Sequence, residues 1–274
     1  MERFPTLFVS HGAPSYALEP GVAGAVLATV GRALPRPNAV LVVSPHWMTA
    51  QPCVTTAPQP ATIHDFAGFG KALNALQYPA SGHPHLAQRA CELLTAAGWP
   101  AQADAYQGFD HGAWVPLLHL YPKADVPVFQ VSLPAALDAQ QALEYGAALA
   151  PLRDEGVLIV GSGSLTHNLY EFFQAHGKDA AYASEFVAWI RDAVEAGDRT
   201  RLVNALTQAP HAQRAHPTPE HFLPLLVACG AAQTTLPVTV LPGEMIKGVL
   251  SMESYVFGGD LSPVLKAFAH GFDA

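Results

Sequence analysis

Two apolar stretches near the start of the chain, each leading into a histidine, constrain the fold most strongly. Residues 7–10 run into His11, and residues 41–44 are followed by one proline and then by His46. Apolar runs of this length are typical of strands that are buried on both faces of a sheet. Because the loops that leave such strands converge on one crevice of an open α/β sheet, we expect both histidines to lie at a shared site.

Helical and strand patterns alternate along the rest of the chain. We predict helices over residues 22–34, 84–97, 139–152, 182–194 and 199–209, and strands over residues 39–44, 126–133, 157–161, 235–241 and 251–257. Thr218 as N-cap and Pro219 at the first position predict a further helix. Residues 108–114 are rich in glycine and predict a loop. The alternation predicts an α/β fold, and the length favours a single domain over residues 1–274.

The composition is that of a packed globule with an acidic balance. Half of the residues are hydrophobic, 13% are charged, and the formal net charge is −8. No basic stripe is left to neutralise phosphates, so we expect no nucleic-acid partner. No apolar run reaches the roughly 18 residues of a membrane-spanning helix, and the N-terminal residues lack the pattern of a signal peptide. We therefore expect a cytoplasmic protein without a membrane partner.

The cysteines do not indicate a structural role. Cys53, Cys91 and Cys229 are odd in number, widely spaced and without a C-x-x-C pair. This pattern favours neither a disulfide framework nor a zinc ribbon. We expect all three to be buried thiols that pack as small hydrophobic side chains.

Histidine is unusually frequent, with 13 residues against 14 lysines and arginines. His11, His46, His167 and His221 stand at the ends of predicted elements, and His111 lies in the glycine-rich loop. A cluster of buried imidazoles is costly unless a cation or hydrogen bonds satisfy it. We therefore predict one shared metal site, of the kind that suits zinc or iron. Three ligands with open positions would make the metal catalytic and leave a fourth histidine as acid or base.

The other histidines and the neighbouring aromatic residues carry weaker signals. His64 and His216 are intermediate cases, and the pair His64–Asp65 is a weaker site candidate. We expect the remaining histidines to be solvated on helix or loop surfaces: His83, His85, His119, His176, His211 and His270. Four aromatic residues flank the histidines and form either a pocket wall or plain core: Trp47, Phe66, Phe69 and Trp114.

Five short motifs follow one another along the chain in a specific order. They are His11-Gly12-Ala13-Pro14, Ser44-Pro45-His46-Trp47, Asp110-His111-Gly112, Thr166-His167-Asn168 and Pro219-Glu220-His221-Phe222-Leu223-Pro224-Leu225. In this order and spacing they resemble the class III extradiol aromatic ring-opening dioxygenases, and in particular the DOPA 4,5-dioxygenase-like branch. The resemblance spans positions 11 to 225, nearly the whole chain.

The resemblance implies a fold, a cofactor and roles for the histidines. It implies a three-layer α/β/α fold with a central mixed, largely parallel sheet, and a non-haem Fe(II) site, although members of this branch also carry zinc. His11, His46 and His221 would be the metal ligands, His167 the acid or base, and His111 a substrate contact. The substrates would be a small aromatic diol and O2, with no organic cofactor.

Several alternatives remain open at this point. Most class III enzymes have a glutamate where His221 stands, and Glu220 directly precedes it, so Glu220 or His167 is an alternative further ligand. The same three histidines could serve a zinc hydrolase, with His167 or Glu220 as the base to a zinc-bound water. A non-enzymatic metal-binding protein of the Memo type would also use this scaffold. The sequence leaves open whether the protein is a monomer or a small homo-oligomer.

Overall fold

A mixed β-sheet forms the centre of the molecule. The computed structural model describes residues 3–174, 179–234 and 236–272, without the side chains of 269–272. The strands in this part of the chain are β1 (Thr6–Ser10), β2 (Ala39–Thr49), β3 (Cys53–Thr55), β4 (Gln102–Asp104), β5 (Val128–Pro134), β6 (Val157–Gly163), β7 (Val238–Leu241), β8 (Met245–Ile246), β9 (Leu250–Ser251) and β10 (Ser254–Phe257).

Eight of these strands form one sheet in the order β4-β3-β5-β2-β6-β1-β10-β7, while β8 and β9 pair separately. The four central strands β5, β2, β6 and β1 run parallel. Antiparallel pairings join β3 to β5, β10 to β1 and β7 to β10. The predicted mixed, largely parallel sheet is confirmed. The carboxyl ends of β2, β6 and β1 are adjacent, which is the geometry expected to gather side chains into one crevice.

Helices cover both faces of this sheet. In the described residues they are α1 (Gly21–Ala33), α2 (Lys71–Asn74), α3 (Pro84–Ala96), α4 (His111–Leu120), α5 (Ala139–Leu149), α6 (Leu169–Gln174), α7 (Ala181–Glu195), α8 (Arg199–Val203), α9 (Ala205–Gln208), α10 (Ala212–Ala215), α11 (Leu223–Ala232) and α12 (Ser262–Phe272), with short 3₁₀ helices at Pro14–Ala17 and Ala150–Glu155.

Alternate residues of the central strands face two separate hydrophobic cores. In β2, Leu41 and Val43 pack with α3, α5, α7 and α11, whereas Val40 and Val42 pack with α1 and α4. This is the period of two that a strand imposes on its side chains. The three-layer α/β/α fold is thereby confirmed.

The sequence patterns missed the start of one helix and misplaced the start of another. Residues 108–114 are not all loop, because Asp110 is the N-cap of α4 and its side chain accepts a hydrogen bond from the N–H of Ala113. The helix predicted at Pro219 begins instead at Leu223, since the Thr218 hydroxyl donates to Glu220 and caps nothing. All ten residues of α11 are buried. A helix buried all round shows no amphipathic period that would mark its start.

Other boundaries changed less. The helix predicted over residues 199–209 is two short helices, α8 and α9, and the strand expected from residue 235 is described from Val238, with residue 235 itself outside the described part.

Three further expectations have mixed outcomes. Cys91 and Cys229 are buried as expected, but Cys53 is half-buried. Within the described residues, no helix has both the length and the apolar character needed to cross a membrane. The single domain over residues 1–274 stays a prediction.

Close packing of α11 on β6 fixes the segment that precedes this helix. A Cβ added at Gly161 in β6 would lie only 2.0 Å from the carbonyl oxygen of Pro224. Just before the helix, the carbonyl of His221 accepts a hydrogen bond of 2.9 Å from the N–H of Ser164. The turn that carries His221 is therefore held at the carboxyl end of β6.

Candidate metal centre

His11 and His46 meet at the carboxyl edge of the sheet. His11 follows β1 directly, and its N–H donates to the carbonyl of Gly163 across the sheet at 2.9 Å. His46 lies within β2, which continues to Thr49 past a shift in its register with β5. The strand is thus longer than the predicted residues 39–44. The Nε2 atoms of the two rings are 3.2 Å apart.

His221 completes a group of three imidazoles. One ring nitrogen from each of His11, His46 and His221 lies within 4.8 Å of the others. The ring centroid of His221 is 5.4 Å from that of His11 and 5.1 Å from that of His46. Three nitrogen donors at such separations are close enough to hold one metal ion, so the structure brings together the three residues predicted as ligands.

The outer nitrogens of two of these rings have hydrogen-bond partners that fix the tautomer. The hydroxyl of Ser162 donates to the carbonyl of Gly112, so it accepts from Nδ1–H of His11 at 3.0 Å. Nδ1–H of His221 donates to the carboxylate of Glu220 at 3.1 Å. Each bond leaves a lone pair on Nε2, and the buried Nε2 of His221 has no hydrogen-bond partner among the residues that the structure describes. Buried nitrogens with inward lone pairs suit a divalent cation, and such outer bonds are typical of metal-binding histidines.

The electrostatics of the group keep the imidazoles neutral. Burial, followed by the repulsion of neighbouring imidazoles, lowers the pKa of His11 and His221 well below the ordinary value. Burial is also the main cause that lowers the pKa of His46. Histidine binds metal only when it is unprotonated. The site is therefore prepared for a cation near neutral pH.

His167 and His111 each lie against a ring of this group. The ring of His167 stacks on that of His221 with centroids 3.4 Å apart and an interplanar angle of 8°. Burial lowers the pKa of His167 to about 4. His111 is the first residue of α4, and its ring centroid is 3.9 Å from that of His46. All five histidines singled out in the sequence therefore meet at one place.

Two further groups of potential ligands overlap the first. His46, Asp65 and His111 form one, and His167, Glu220 and His221 form the other. Because each shares a histidine with the central group, they do not constitute independent sites. Glu220 is already engaged with Nδ1–H of His221. This contact favours Glu220 as a partner that orients a ligand.

Two aspartate carboxylates lie at the site, and each holds a different part of it. Asp65 contacts His111 directly, at 2.8 Å from its Nδ1. Asp110, which the sequence analysis named within a motif but gave no role, is fully buried and accepts hydrogen bonds from Ser44 and Gln130 at 2.8 and 2.7 Å. It thereby joins β2, β5 and α4 behind the histidines. Its position directly before His111, with the N-cap preference of aspartate, is the signal that could have identified it.

A largely apolar cavity of about 240 Å³ opens above the histidines. Of the four flanking aromatic residues, Phe66 and Phe69 line it. Trp114 belongs to the core, where its indole N–H donates to the carbonyl of Ile63 at 2.9 Å, and Trp47 is also buried. The sequence did not reveal four other apolar residues of the wall: Leu169, Phe172, Phe173 and Leu250.

The remaining histidines divide differently from the expectation. His85 and His211 are exposed as predicted. His119 is half-buried, because its Nε2–H donates to the carbonyl of Tyr16 at 3.0 Å. The side chain of His83 caps α3 by accepting from the N–H of Leu86. His216 is buried, His64 bonds the carbonyl of Leu76, and His176 and the side chain of His270 lie outside the described residues.

A match to a known family accounts for this arrangement. The family described as the catalytic LigB subunit of aromatic ring-opening dioxygenase matches residues 8–256. The chain belongs to this LigB family. The resemblance seen in the five sequence motifs is thereby confirmed.

Individual relatives agree with the family match. A protein of Beta vulgaris named 4,5-DOPA dioxygenase extradiol is 40% identical over 256 residues, covering 92% of this chain and 96% of that protein. The protein of the same name from Escherichia coli K12 is 40% identical over 261 residues, with 93% and 95% coverage. A crystal structure of an uncharacterized protein from Escherichia coli K12 superposes with a TM-score of 0.76 at 34% identity, covering 93% and 100% of the two chains.

The LigB-family chain is therefore a metal-dependent extradiol dioxygenase. The family match and the named relatives support this class of enzyme, and the three imidazoles provide a group able to bind the metal. Neither the hydrolase nor the non-enzymatic alternative is favoured by these similarities.

Proposed function

We propose that this enzyme cleaves a catechol-type, DOPA-like diol with O2 on one Fe(II) ion held by His11, His46 and His221. The observation that carries the proposal is the close approach of three imidazoles that all line one apolar cavity, with the buried Nε2 of His221 lacking a hydrogen-bond partner among the described residues. When bound, the ion supplies a common template and electronic coupling for diol and O2. Three protein ligands leave open positions for these substrates.

His167 is proposed as the base that takes a proton from a hydroxyl of the diol. Burial lowers its pKa to about 4, so its imidazole is neutral and able to accept a proton near neutral pH. Its ring lies face to face with that of His221 and lines the cavity. The base thus stands beside one ligand, within the space where the substrate would lie.

His111 is proposed to contact a substrate hydroxyl. Its ring lines the cavity, and its Nδ1–H donates to the carboxylate of Asp65. The remaining nitrogen, Nε2, carries a lone pair that accepts a hydrogen bond. Such a contact orients the diol relative to the three imidazoles.

The wall of the cavity supports an aromatic substrate. Phe66, Phe69, Phe172 and Leu250 present apolar surface around the histidines. Aromatic rings pack well against such walls, and few polar groups then fix the orientation. The relatives named 4,5-DOPA dioxygenase extradiol make DOPA the first substrate to test.

The proposal is tested by loading the protein with Fe(II) without oxygen and then adding air with DOPA, catechol or an alkylcatechol. We expect a yellow ring-opened product and uptake of one O2 per diol consumed. Protein loaded with Zn(II) is the matched control and should not consume O2. An absence of O2 uptake with the whole catechol panel, in protein shown to contain iron, would refute the proposed function.

A further inference from the structure

The carboxylate of Asp65 serves two of the histidines at once. Its Oδ1 accepts a hydrogen bond of 2.8 Å from the backbone N–H of His111, and its Oδ2 accepts one of 2.8 Å from Nδ1–H of the same residue. The same Oδ2 lies 3.5 Å from Nδ1 of His46. The Asp65 side chain is 22% exposed, while that of His111 is 7% exposed. One side chain therefore stands behind both rings.

The chemistry of a carboxylate decides where the protons on these rings lie. An ionised carboxylate only accepts hydrogen bonds, so Nδ1 of His111, at 2.8 Å, carries the proton. Nδ1 of His46 faces the same oxygen at 3.5 Å, where the negative charge favours a proton on that nitrogen over a lone pair. A neutral imidazole with Nδ1 protonated has its lone pair on Nε2. In His46 that lone pair points to the metal-binding group, where Nε2 is 3.2 Å from Nε2 of His11.

From this geometry we infer that Asp65 is a positioning residue that keeps Nδ1 of both His46 and His111 protonated, and so presents both Nε2 lone pairs to the site. The inference deepens the proposed function, since it rests on His46 as a ligand and His111 as a substrate contact. In this role one carboxylate orients the rings of both histidines. Outer carboxylates of this kind typically change metal affinity or activity by about 10–100-fold when they are replaced.

The loop that carries Asp65 does not depend on this carboxylate for its position. The N–H of Ile63 donates to the carbonyl of Phe109, and the carbonyl of Ile63 accepts from the indole of Trp114. His64 bonds the carbonyl of Leu76 at 2.9 Å. Because these contacts hold the loop independently, replacement of the carboxylate alone should leave the backbone in place.

Asp65→Asn is the sharpest test, because it keeps the size of the side chain and removes one acceptor. If the amide oxygen satisfies the N–H of His111, the amide NH2 faces Nδ1 of both imidazoles. A donor at this position favours protonation on Nε2. We therefore expect both rings to change tautomer, measured by ¹⁵N NMR of the imidazole nitrogens in metal-free protein near neutral pH.

Metal binding and kinetics give independent measurements. Asp65→Asn should bind Zn(II) about 10–100-fold more weakly than the parent protein. When saturated with Fe(II), it should show a lower kcat, whereas a merely structural defect would lower the folded fraction. Asp65→Glu, which retains a carboxylate, should keep Nδ1 protonated and restore part of the Zn(II) affinity. Asp125→Asn, at an exposed ion pair with Arg36, is the matched control and should change neither property.

The outcomes separate this inference from the proposed function. Nε2 protonation of His46 and His111 in the parent protein, or unchanged tautomers in Asp65→Asn, would overturn the role of Asp65 whatever the activity. If Asp65→Asn does not fold, the tautomers in the parent and in Asp65→Glu decide the question. A failure of every catechol to react would instead refute the proposed function, while the tautomers would still test Asp65.

Discussion

A buried imidazole nitrogen without a partner is the residue-scale feature from which the chemistry follows. Within the described part of the chain, Nε2 of His221 has no partner, while its Nδ1 is bonded to Glu220. Leaving such a lone pair unsatisfied costs about 1–3 kcal/mol. A cation shared with His11 and His46 would remove that cost, because one ring nitrogen from each of the three residues lies within 4.8 Å of the others.

The proposed assignment of His221 as a metal ligand predicts that its removal weakens metal binding. We expect His221→Ala to lower Zn(II) affinity at least about 100-fold, since it removes one of three donors and leaves the other two to bind alone. Isothermal titration with Zn(II) measures this change. Glu220→Gln, which keeps a side chain that can accept from Nδ1–H, should retain most of the affinity. Equal losses in the two variants would assign Glu220 as a ligand.

The proposed role of His167 as a base makes a different prediction. We expect His167→Ala to lower kcat by about 100–10,000-fold, the range typical of a lost general base, while iron content is unchanged. O2 uptake and elemental analysis of the same sample measure the two quantities. His211→Ala, which removes an exposed histidine paired with Glu185, should leave both unchanged. Loss of iron from His167→Ala would show that His167 is a ligand.

At the residue scale, sequence reasoning found the histidines but ranked their carboxylate partners poorly. Strand ends and motifs identified His11 and His46, because a rigid sheet dictates where such residues go. Asp65 is 46 positions before its partner His111, and no local pattern links the two. Only the tertiary fold shows that this aspartate contacts the site.

At the scale of elements, the packing of α11 on β6 decides where His221 lies. The absence of a side chain at Gly161 lets the backbone of α11 approach the strand, and the turn before the helix then holds His221. The position of this metal-binding candidate therefore depends on a contact that makes no direct contribution to the chemistry.

Gly161→Ala tests this dependence. The new Cβ would lie 2.0 Å from the carbonyl oxygen of Pro224, so the helix must move. Overpacking of this kind typically costs about 1–3 kcal/mol in the free energy of unfolding, and we also expect weaker Zn(II) binding. Gly230→Ala provides the control, because its Cβ would meet the carbonyl of Leu143 near the far end of α11. It should lower stability but leave Zn(II) affinity unchanged.

Whether a helix could be predicted from the sequence depends on how much of its surface is buried. Helices such as α3 and α7 have one buried face and one solvent face, and their periodicity was clear. The first turns of α4 and α11 are buried on every side, so their sequences carry no such contrast. Their starts depend on Asp110 and on the turn before Leu223, which the apolar pattern does not reveal.

For the whole molecule, the buried neutral histidines make the free energy of unfolding depend on pH. His216 lies in the core, where its Nε2–H donates to the carbonyl of Leu165 at 2.8 Å, and burial lowers its pKa to about 4. The unfolded chain binds this proton near pH 6.5. The contribution of neutral His216 to the free energy of unfolding is therefore complete above pH 6.5 and is lost progressively as the pH falls to about 4.

His216→Gln should flatten the pH dependence of stability. Over the window from pH 6.5 to about 4, one proton bound only by the unfolded chain changes the free energy of unfolding by at most about 1.4 kcal/mol per pH unit. Urea denaturation of metal-free protein at a series of pH values measures this slope. His211→Gln, an exposed counterpart, should keep the slope of the parent protein. An unchanged slope in His216→Gln would contradict the assignment.

Metal binding should also stabilise the entire fold. Zn(II) at 100 times its dissociation constant is expected to raise the free energy of unfolding by about 2.7 kcal/mol, because it binds the folded state. Thermal denaturation with Zn(II) and with a chelator measures the difference. The same increase in His221→Ala would show that the ion binds elsewhere.

The order of the strands in the sheet could not be predicted from the sequence. Alternation of helices and strands indicated an α/β fold, but β1 pairs with β6 and β10, whose residues follow it by about 150 and 250 positions. Pairings at such separations depend on the packing of both sheet faces. Local patterns therefore predicted the class of fold and left the neighbours of β1 undetermined.

The place of β1 between β6 and β10 has a consequence for the synthesis of the protein. During translation β1 is made before β6 and long before β10, its two neighbours in the sheet. His221 likewise follows His11 and His46 late in the sequence. The nascent polypeptide therefore cannot assemble the proposed triad of histidine ligands until the residues around His221 have emerged from the ribosome.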